Sequence, residues 1–233
     1  MKRSCAFPRT PARCIINHDK LKEKPKSQHS IYLMKIFFTS DLHFQSTESP
    51  GIIDWAHRPF KSVEKHDAAL IRGIQERVKP DDLLIHVGDF MNYGKNRGKE
   101  GGRAKPEEYV KRIGRQIIFL EGNHDPNNHV RCIGRTLTTK VGRYIVSVGH
   151  YPSWDSRFEF VDTPTYADKT GNHYRIHLCG HVHDSFENAF GYDHKNGSSV
   201  LNINVGVDAW NYRPVSESEL DAYIGKILSG KED

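Results

Sequence analysis

The sequence predicts an α/β fold with mixed sheets and helices on the outside. Five short apolar runs recur along the chain, each rich in residues that favour extended backbone and too brief for a helix. Stretches with a helical apolar stripe and a capping residue lie between and after them. Each run also stops at a small residue or a strand end and passes into a carboxylate, an amide or an imidazole. The carboxyl ends of strands are where open α/β sheets bind their ligands.

In chain order, Met34-Lys35 precedes a first strand, Ile36 to Ser40, which runs into Asp41-Leu42-His43. A loop follows to about Phe60, containing Trp55-Ala56-His57-Arg58-Pro59-Phe60. Packed as a lid, it would bury Trp55 and Phe60. Turned to a site, His57 or Arg58 would touch a substrate phosphate, a role that the forked donors of arginine suit. Ser62 is placed to cap a helix to Val78, with Leu70, Ile71, Ile74 and Val78 on its apolar stripe. Pro80-Asp81-Asp82 leads to the second strand, Leu83 to Val87, which ends in Gly88-Asp89. Residues 93–105 are rich in Gly, Lys and Arg and too glycine-rich to order alone. They read either as a solvated loop or as a flexible lure for anions.

A short helix is expected from Pro106, a good first helical residue, to Ile113. The third strand, Ile117 to Leu120, opens into Glu121-Gly122-Asn123-His124-Asp125, where Gly122 lets the backbone turn sharply. A fourth, Tyr144 to Val148, leads to Gly149-His150, and a fifth, Arg175 to Cys179, to Gly180-His181-Val182-His183. Residues 155–172 between them read as an irregular loop beside the site, with Arg157 and Tyr166 as further candidate substrate contacts. Lys195-Asn196-Gly197-Ser198 is a turn signal, and Val200 to Val205 alternates as a strand with one polar face. Ser216-Glu217-Ser218-Glu219 is a capping box opening a last helix, with Leu220, Tyr223, Ile224, Ile227 and Leu228 towards the sheet.

The groups at the strand ends are of one chemical kind. Asp41, His43, Asp89, Asn123, His150, His181 and His183 offer oxygen and nitrogen donors without a thiolate. Such a set suits manganese, iron, zinc or nickel better than calcium, and does not resemble a closed structural zinc site. Seven donors are too many for one catalytic ion with an open position. They suit two ions sharing a carboxylate, the arrangement used for in-line displacement at phosphorus. The pairs Asp41/His43 and His181/His183 are spaced i, i+2, so in extended chain each pair points one way.

Asp-x-His, Gly-Asp-x-x-Asn (Gly88 to Asn92), Gly-Asn-His-Asp, Gly-His and Gly-His-x-His follow in that order. From Lys35 to about Tyr212 the chain thereby resembles the calcineurin-like metallophosphoesterase family. The resemblance implies a four-layer α/β/β/α sandwich and a centre of two divalent ions, manganese first, with iron, zinc or nickel as alternatives. It places Asp41, His43, Asp89 and His183 on one ion, and Asp89, Asn123, His150 and His181 on the other. Asp89 bridges them, and a hydroxide held between the ions attacks phosphorus. His124 faces the substrate as general acid, with Asp125 orienting its imidazole.

Charge and cysteine usage narrow the setting. Residues 1–33 contain eight Lys or Arg and two acids, a net of +6 in a chain of +5, so residues 34–233 carry −1. That near-neutral domain does not advertise the broad basic face of a nucleic-acid binder. The extension is basic, without periodicity, and lacks a secretory signal's apolar segment. It reads as disordered and dispensable, a transit peptide or a mis-assigned start ahead of Met34, with 34–233 as one metallophosphoesterase domain. No apolar run is long enough to span a membrane. Cys5, Cys14, Cys132 and Cys179 form no Cys-x-x-Cys spacing, which points to free thiols in a reducing, cytoplasmic setting. His86 and His177 fall inside strands as core residues, while His18, His29, His66, His129, His173 and His194 read as surface residues.

The expected function is hydrolysis of a small phosphorylated substrate, as a diester or a monoester. The rivals are a metal-dependent nuclease and a binding scaffold without chemistry.

Overall fold

The computed structural model describes residues 33–46, 51–92 and 104–230. The reading of the basic extension, apart from Leu33, and that of the glycine-rich segment over 93–103 lie outside the described residues. The strands are β1 (Ile36–Thr39), β2 (Leu83–Val87), β3 (Gln116–Leu120), β4 (Thr136–Val141), β5 (Tyr144–Gly149), β6 (Tyr166–Ala167), β7 (His173–Cys179), β8 (Asn188–Asp193), β9 (Ser198–Asn204) and β10 (Val215–Ser216). The helices are α1 (Ile52–Trp55), α2 (Val63–Arg77), α3 (Pro106–Ile113) and α4 (Glu217–Ser229).

Two mixed sheets result. The first has the order β10-β1-β2-β3, with β1, β2 and β3 parallel and β10 antiparallel at the edge. The second runs β4-β5-β7-β9-β8, with β5, β7 and β9 parallel, antiparallel strands at both edges, and β6 paired to β7. Alternation within each strand divides the apolar residues between two cores. Phe38, Ile85 and Leu120 of the first sheet join Val148, Leu178, Leu201 and Ile203 of the second in one cluster. The opposite face of the first sheet presents Phe37 and Leu84 to Leu70 and Ile74 of α2 and to Tyr109 and Ile113 of α3. Helix α4 packs against β10, β1 and β4, at the side of the sandwich. The outer face of the second sheet is covered in part by irregular chain: Phe158 packs on His177, and Ser153 N–H donates to Asn202 Oδ1.

The caps form as the sequence predicts. Ser62 Oγ accepts from Lys65 N at 3.3 Å at the start of α2. Ser216 and Glu219 exchange both bonds of the capping box on α4. Among the described residues no helix is long and apolar enough to cross a membrane.

Beyond β1 and β2 the two chains stay side by side. Asp41 N donates to Gly88 O, His43 N to Asp89 O and Phe44 N to Phe90 O, each at 3.0 Å. These bonds run along a backbone that side chains rarely adopt, with Asp41 (φ 59°), His43 (φ 46°) and Asp89 (φ 61°) left-handed, and His181 (φ 72°) and His183 (φ 48°) after β7 share that conformation. Each such residue costs about 1–3 kcal/mol and persists where its surroundings over-determine it. The i, i+2 pairs therefore do not converge through extended chain, as their spacing suggests. They converge through left-handed turns at both members of each pair.

Gly88, just before Asp89, is also left-handed and is closely packed. Its φ is 93°, and a Cβ there would lie 2.5 Å from His150 Nδ1 and 2.8 Å from the Gly122 backbone. Gly88→Ala is expected to cost roughly 2–5 kcal/mol from strain plus overpacking, lowering the melting temperature on the order of 10 °C. Gly171 is the control. Its φ is 87° but nothing lies within 4 Å of the added carbon, so Gly171→Ala should show the backbone cost alone. Equal shifts in thermal melting would mean that the crowding at Gly88 is unimportant.

Candidate metal centre

The ends of β1, β2 and β3 meet the ends of β5 and β7 at one rim. Asp41, His43 and His183 bring their donor atoms within 4.8 Å of one another, and so do Asp89, His150 and His181. A third group, His43, Asp89 and His124, overlaps both. Asp89 is the common element: its Oδ2 lies 3.6 Å from His43 Nε2, 3.3 Å from His150 Nε2 and 3.9 Å from His124 Nε2. Asn123 joins through its Oδ1, 3.2 Å from His150 Nε2.

Several of these donors are buried, so their ionisation is set by one another. Burial works against the Asp41 and Asp89 carboxylates, but the surrounding histidines outweigh it and hold both well below the usual range. Burial pushes His43 down to about 4, against the pull of the two carboxylates, and leaves it neutral at pH 7. His150 is also buried, yet the charge of Asp89 raises it to about 9. Its Nδ1 bonds Val87 O at 2.8 Å, which keeps Nε2 turned to the carboxylate. Burial and the neighbouring His150 lower His181.

The donor set fits divalent metal. Both ring nitrogens of His43 are buried without a hydrogen bond, and the nearest carboxylate oxygens are too far away to supply one. Buried polar atoms are rarely left so, and an ion is one partner that would complete them. The mixed oxygen and nitrogen donors match the chemistry expected from the sequence.

His124 stands at the mouth of this cluster, with its side chain 37% exposed. Its backbone N–H donates to Asp89 Oδ1 at 2.9 Å, and its ring meets His43 edge-on at 5.0 Å. Asp125 is used otherwise than expected. Its Oδ2 accepts from Asp89 N and Gly122 N, both at 2.8 Å, and its Oδ1 from Phe90 N at 3.0 Å. It clamps the loops after β2 and β3 together, and its oxygens are engaged with backbone rather than with the His124 ring.

The two candidate phosphate contacts also part. Arg58 is buried, bonded to the Asp208 carboxylate through Nε at 2.8 Å and Nη2 at 2.7 Å, so it does not face a substrate. His57 is 84% exposed beside Asp184 and stands outside the three donor groups. His66, read as a surface residue, is fully buried, and Trp55, read as core in the lid, is 69% exposed with its ring 6.0 Å from that of His183. Arg157 does reach the centre: Nη2 lies 2.9 Å from His181 Nε2, and the guanidinium stacks 4.1 Å from the Tyr151 ring. Tyr166 instead accepts Ile145 N–H and is structural.

Asp208 is the residue that sequence reasoning missed. Its Oδ2 lies 3.2 Å from His183 Nδ1, which leaves Nε2 of that ring free for the donor cluster. Burial lowers the tendency of His183 to protonate, but Asp208 more than reverses this. A signal was present: β9 runs into Val205-Gly206-Val207-Asp208, another strand followed by a glycine and a carboxylate.

Residues 34–185 match the family model described as calcineurin-like phosphoesterase. An uncharacterized protein of Methanocaldococcus jannaschii is 27% identical over 199 residues, which are 85% of this chain and 94% of that one. A solved structure of a protein of unknown function from Aquifex aeolicus aligns with a TM-score of 0.50 at 19% identity, covering 82% of this chain and all of that one. A phosphoesterase from E. coli aligns at a TM-score of 0.36 and 18% identity, over 73% of this chain and 78% of that one. The family match covers most of the chain and contains all seven donor positions, so the chain belongs to the calcineurin-like phosphoesterase family.

Proposed function

We propose that the protein hydrolyses a small phosphoester at a centre of two divalent ions. The observation that carries this reading is the single buried carboxylate of Asp89, lying within 4 Å of histidine nitrogens from both donor groups. Asp41, His43, Asp89 and His183 would hold one ion, and Asp89, Asn123, His150 and His181 the other, with manganese as the first candidate. Bound there, the ions would lower the pKa of a water and neutralise charge developing at phosphorus.

The chain's own residues do the rest. His124, at the mouth and half in solvent, donates a proton to the leaving oxygen. Its N–H bond to Asp89 keeps it beside the donor cluster. Asp125 fixes the loops that carry Asp89 and Asn123. Arg157, stacked and held by Asp155 through Nε and Nη2, offers a prepared guanidinium to a phosphoryl oxygen.

A nuclease remains the second reading, and Trp55 favours it, because an exposed indole beside His183 offers a stacking surface to a base. A screen of the manganese-loaded protein separates the two. Turnover of small diesters or monoesters, with weak polynucleotide binding, supports the first. Preferred cleavage of nucleic acid, with affinity falling steeply in salt, supports the second. Full metal occupancy without hydrolysis of either class sinks both.

A further inference from the structure

A line of buried polar groups leads away from the metal centre into the helices. Asp208 Oδ2 faces His183 Nδ1 at 3.2 Å, and Arg58 grips the same carboxylate with two donors. Arg58 Nη2 also donates to Asp41 O at 2.7 Å, and Nη1 lies 3.4 Å from Leu42 O. On its far side Nη1 donates to His66 Nε2 at 2.8 Å, so His66 carries its proton on Nδ1, which donates to Asp67 Oδ1 at 2.8 Å. Asp67 Oδ2 accepts from Tyr109 Oη of α3 at 2.5 Å and from Gln45 N at 3.1 Å. Arg58, His66, Asp67 and Tyr109 are each at most 4% exposed.

Burying a guanidinium, two carboxylates and an imidazole is costly unless each finds its partners. Folding stability alone is weak reason for such a set, since packed apolar residues of similar volume serve as well or better. What the set does achieve is geometric. One guanidinium touches the backbone of Asp41, the backbone just before His43, and the carboxylate that turns His183. These three residues make up one donor group, two of them on strained left-handed backbone next to the carbonyls that Arg58 holds.

We infer that Arg58 is the positioning residue of the Asp41–His43–His183 metal site, and that His66, Asp67 and Tyr109 hold its guanidinium in register with helices α2 and α3. The inference rests on the two-ion reading, but it separates that site from the other: among the described residues no member of this line bonds His150, His181 or Asn123, and His181 meets it only through its backbone N–H on the Asp41 carboxylate. Lysine cannot replace Arg58, because a single ammonium lacks the planar fork that meets Asp208, the two carbonyls and His66 together.

The test is a manganese titration of metal-free protein by calorimetry, with the spin-coupled signal of paired manganese followed by electron paramagnetic resonance. Wild type should take two ions, and one ion or none there would refute the two-ion reading itself, whatever the variants do. Arg58→Lys should weaken one ion about 10–100-fold, as loss of an outer partner to a ligand does, leave the other unchanged, and abolish the paired signal. Arg58→Gly should behave likewise and regain the second ion when free guanidinium at millimolar concentration is supplied. Asp208→Asn, which keeps the shape of the side chain, should repeat the selective loss if Arg58 variants do not fold. A merely structural role would lower melting temperature and weaken both ions alike. Two ions at wild-type affinity in Arg58→Lys, or in Asp208→Asn where that variant must stand in, would overturn the assignment.

Discussion

Asp89→Asn should release both ions, whereas His43→Ala should release one. The asymmetry follows from position. Asp89 Oδ2 lies between His43 and His150, while its Oδ1 accepts the His124 N–H. Asparagine removes the charge and turns one of those oxygens into a donor, so both donor groups lose their shared anion. His43→Ala removes a nitrogen from one group and leaves Asp89, His150, His181 and Asn123 in place. If the ions supply several kcal/mol of the rate acceleration, activity of Asp89→Asn should fall roughly 10³-fold or more. Metal analysis after dialysis checks the difference, and loss of the same single ion from both variants would refute the bridging role.

His124→Ala should keep both ions and lose its activity selectively. A positioned proton donor contributes about 10²–10⁴-fold where the leaving oxygen is basic. The loss should be of that size on an alkyl diester and much smaller on a nitrophenyl diester, whose leaving oxygen needs little protonation. Equal losses on both substrates at full metal occupancy would make His124 a phosphate-positioning residue. Asp125→Asn belongs to a different class. With Asp89 N, Gly122 N and Phe90 N all donating to this carboxylate, an amide leaves a buried donor facing donors. It should therefore cost stability without distinguishing the two leaving groups.

The strands and caps were legible because they depend on local pattern. Apolar runs ending in glycine, the capping box at Ser216 and the proline at the start of α3 each act within a few residues. The donor set was legible for a related reason: parallel strands in register bring their ends to one rim, so a repeated strand-end motif becomes one place in space. What escaped was long-range. Arg58 meets Asp208 across 150 residues, and nothing near either residue announces the pairing. His66 lies beside an acid on a polar stretch and looks solvated until Arg58 and Asp67 are placed on its two nitrogens. Asp125 failed as a partner for His124 because three backbone donors, two of them on the loop after the neighbouring strand β2, claim it first.

The donors come from both sheets, Asp41, His43, Asp89 and Asn123 from one and His150, His181 and His183 from the other. A metal centre held by them would thus work as a caliper set across the sandwich. Metal–ligand distances tolerate shifts of only about 0.2 Å, while one step along a strand is about 3.3 Å. The thickness of the apolar filling between the sheets would therefore calibrate a metal centre built on these donors. Leu201 belongs to that filling and Ile74 to the helix-side core, both essentially fully buried. Cutting either to alanine should cost about 2–5 kcal/mol, yet Leu201→Ala alone should detune manganese affinity in a calorimetric titration, and matched affinities would show that the gap between the sheets is not what sets the site. Residues conventionally credited with holding a protein together would here act as its gauge blocks.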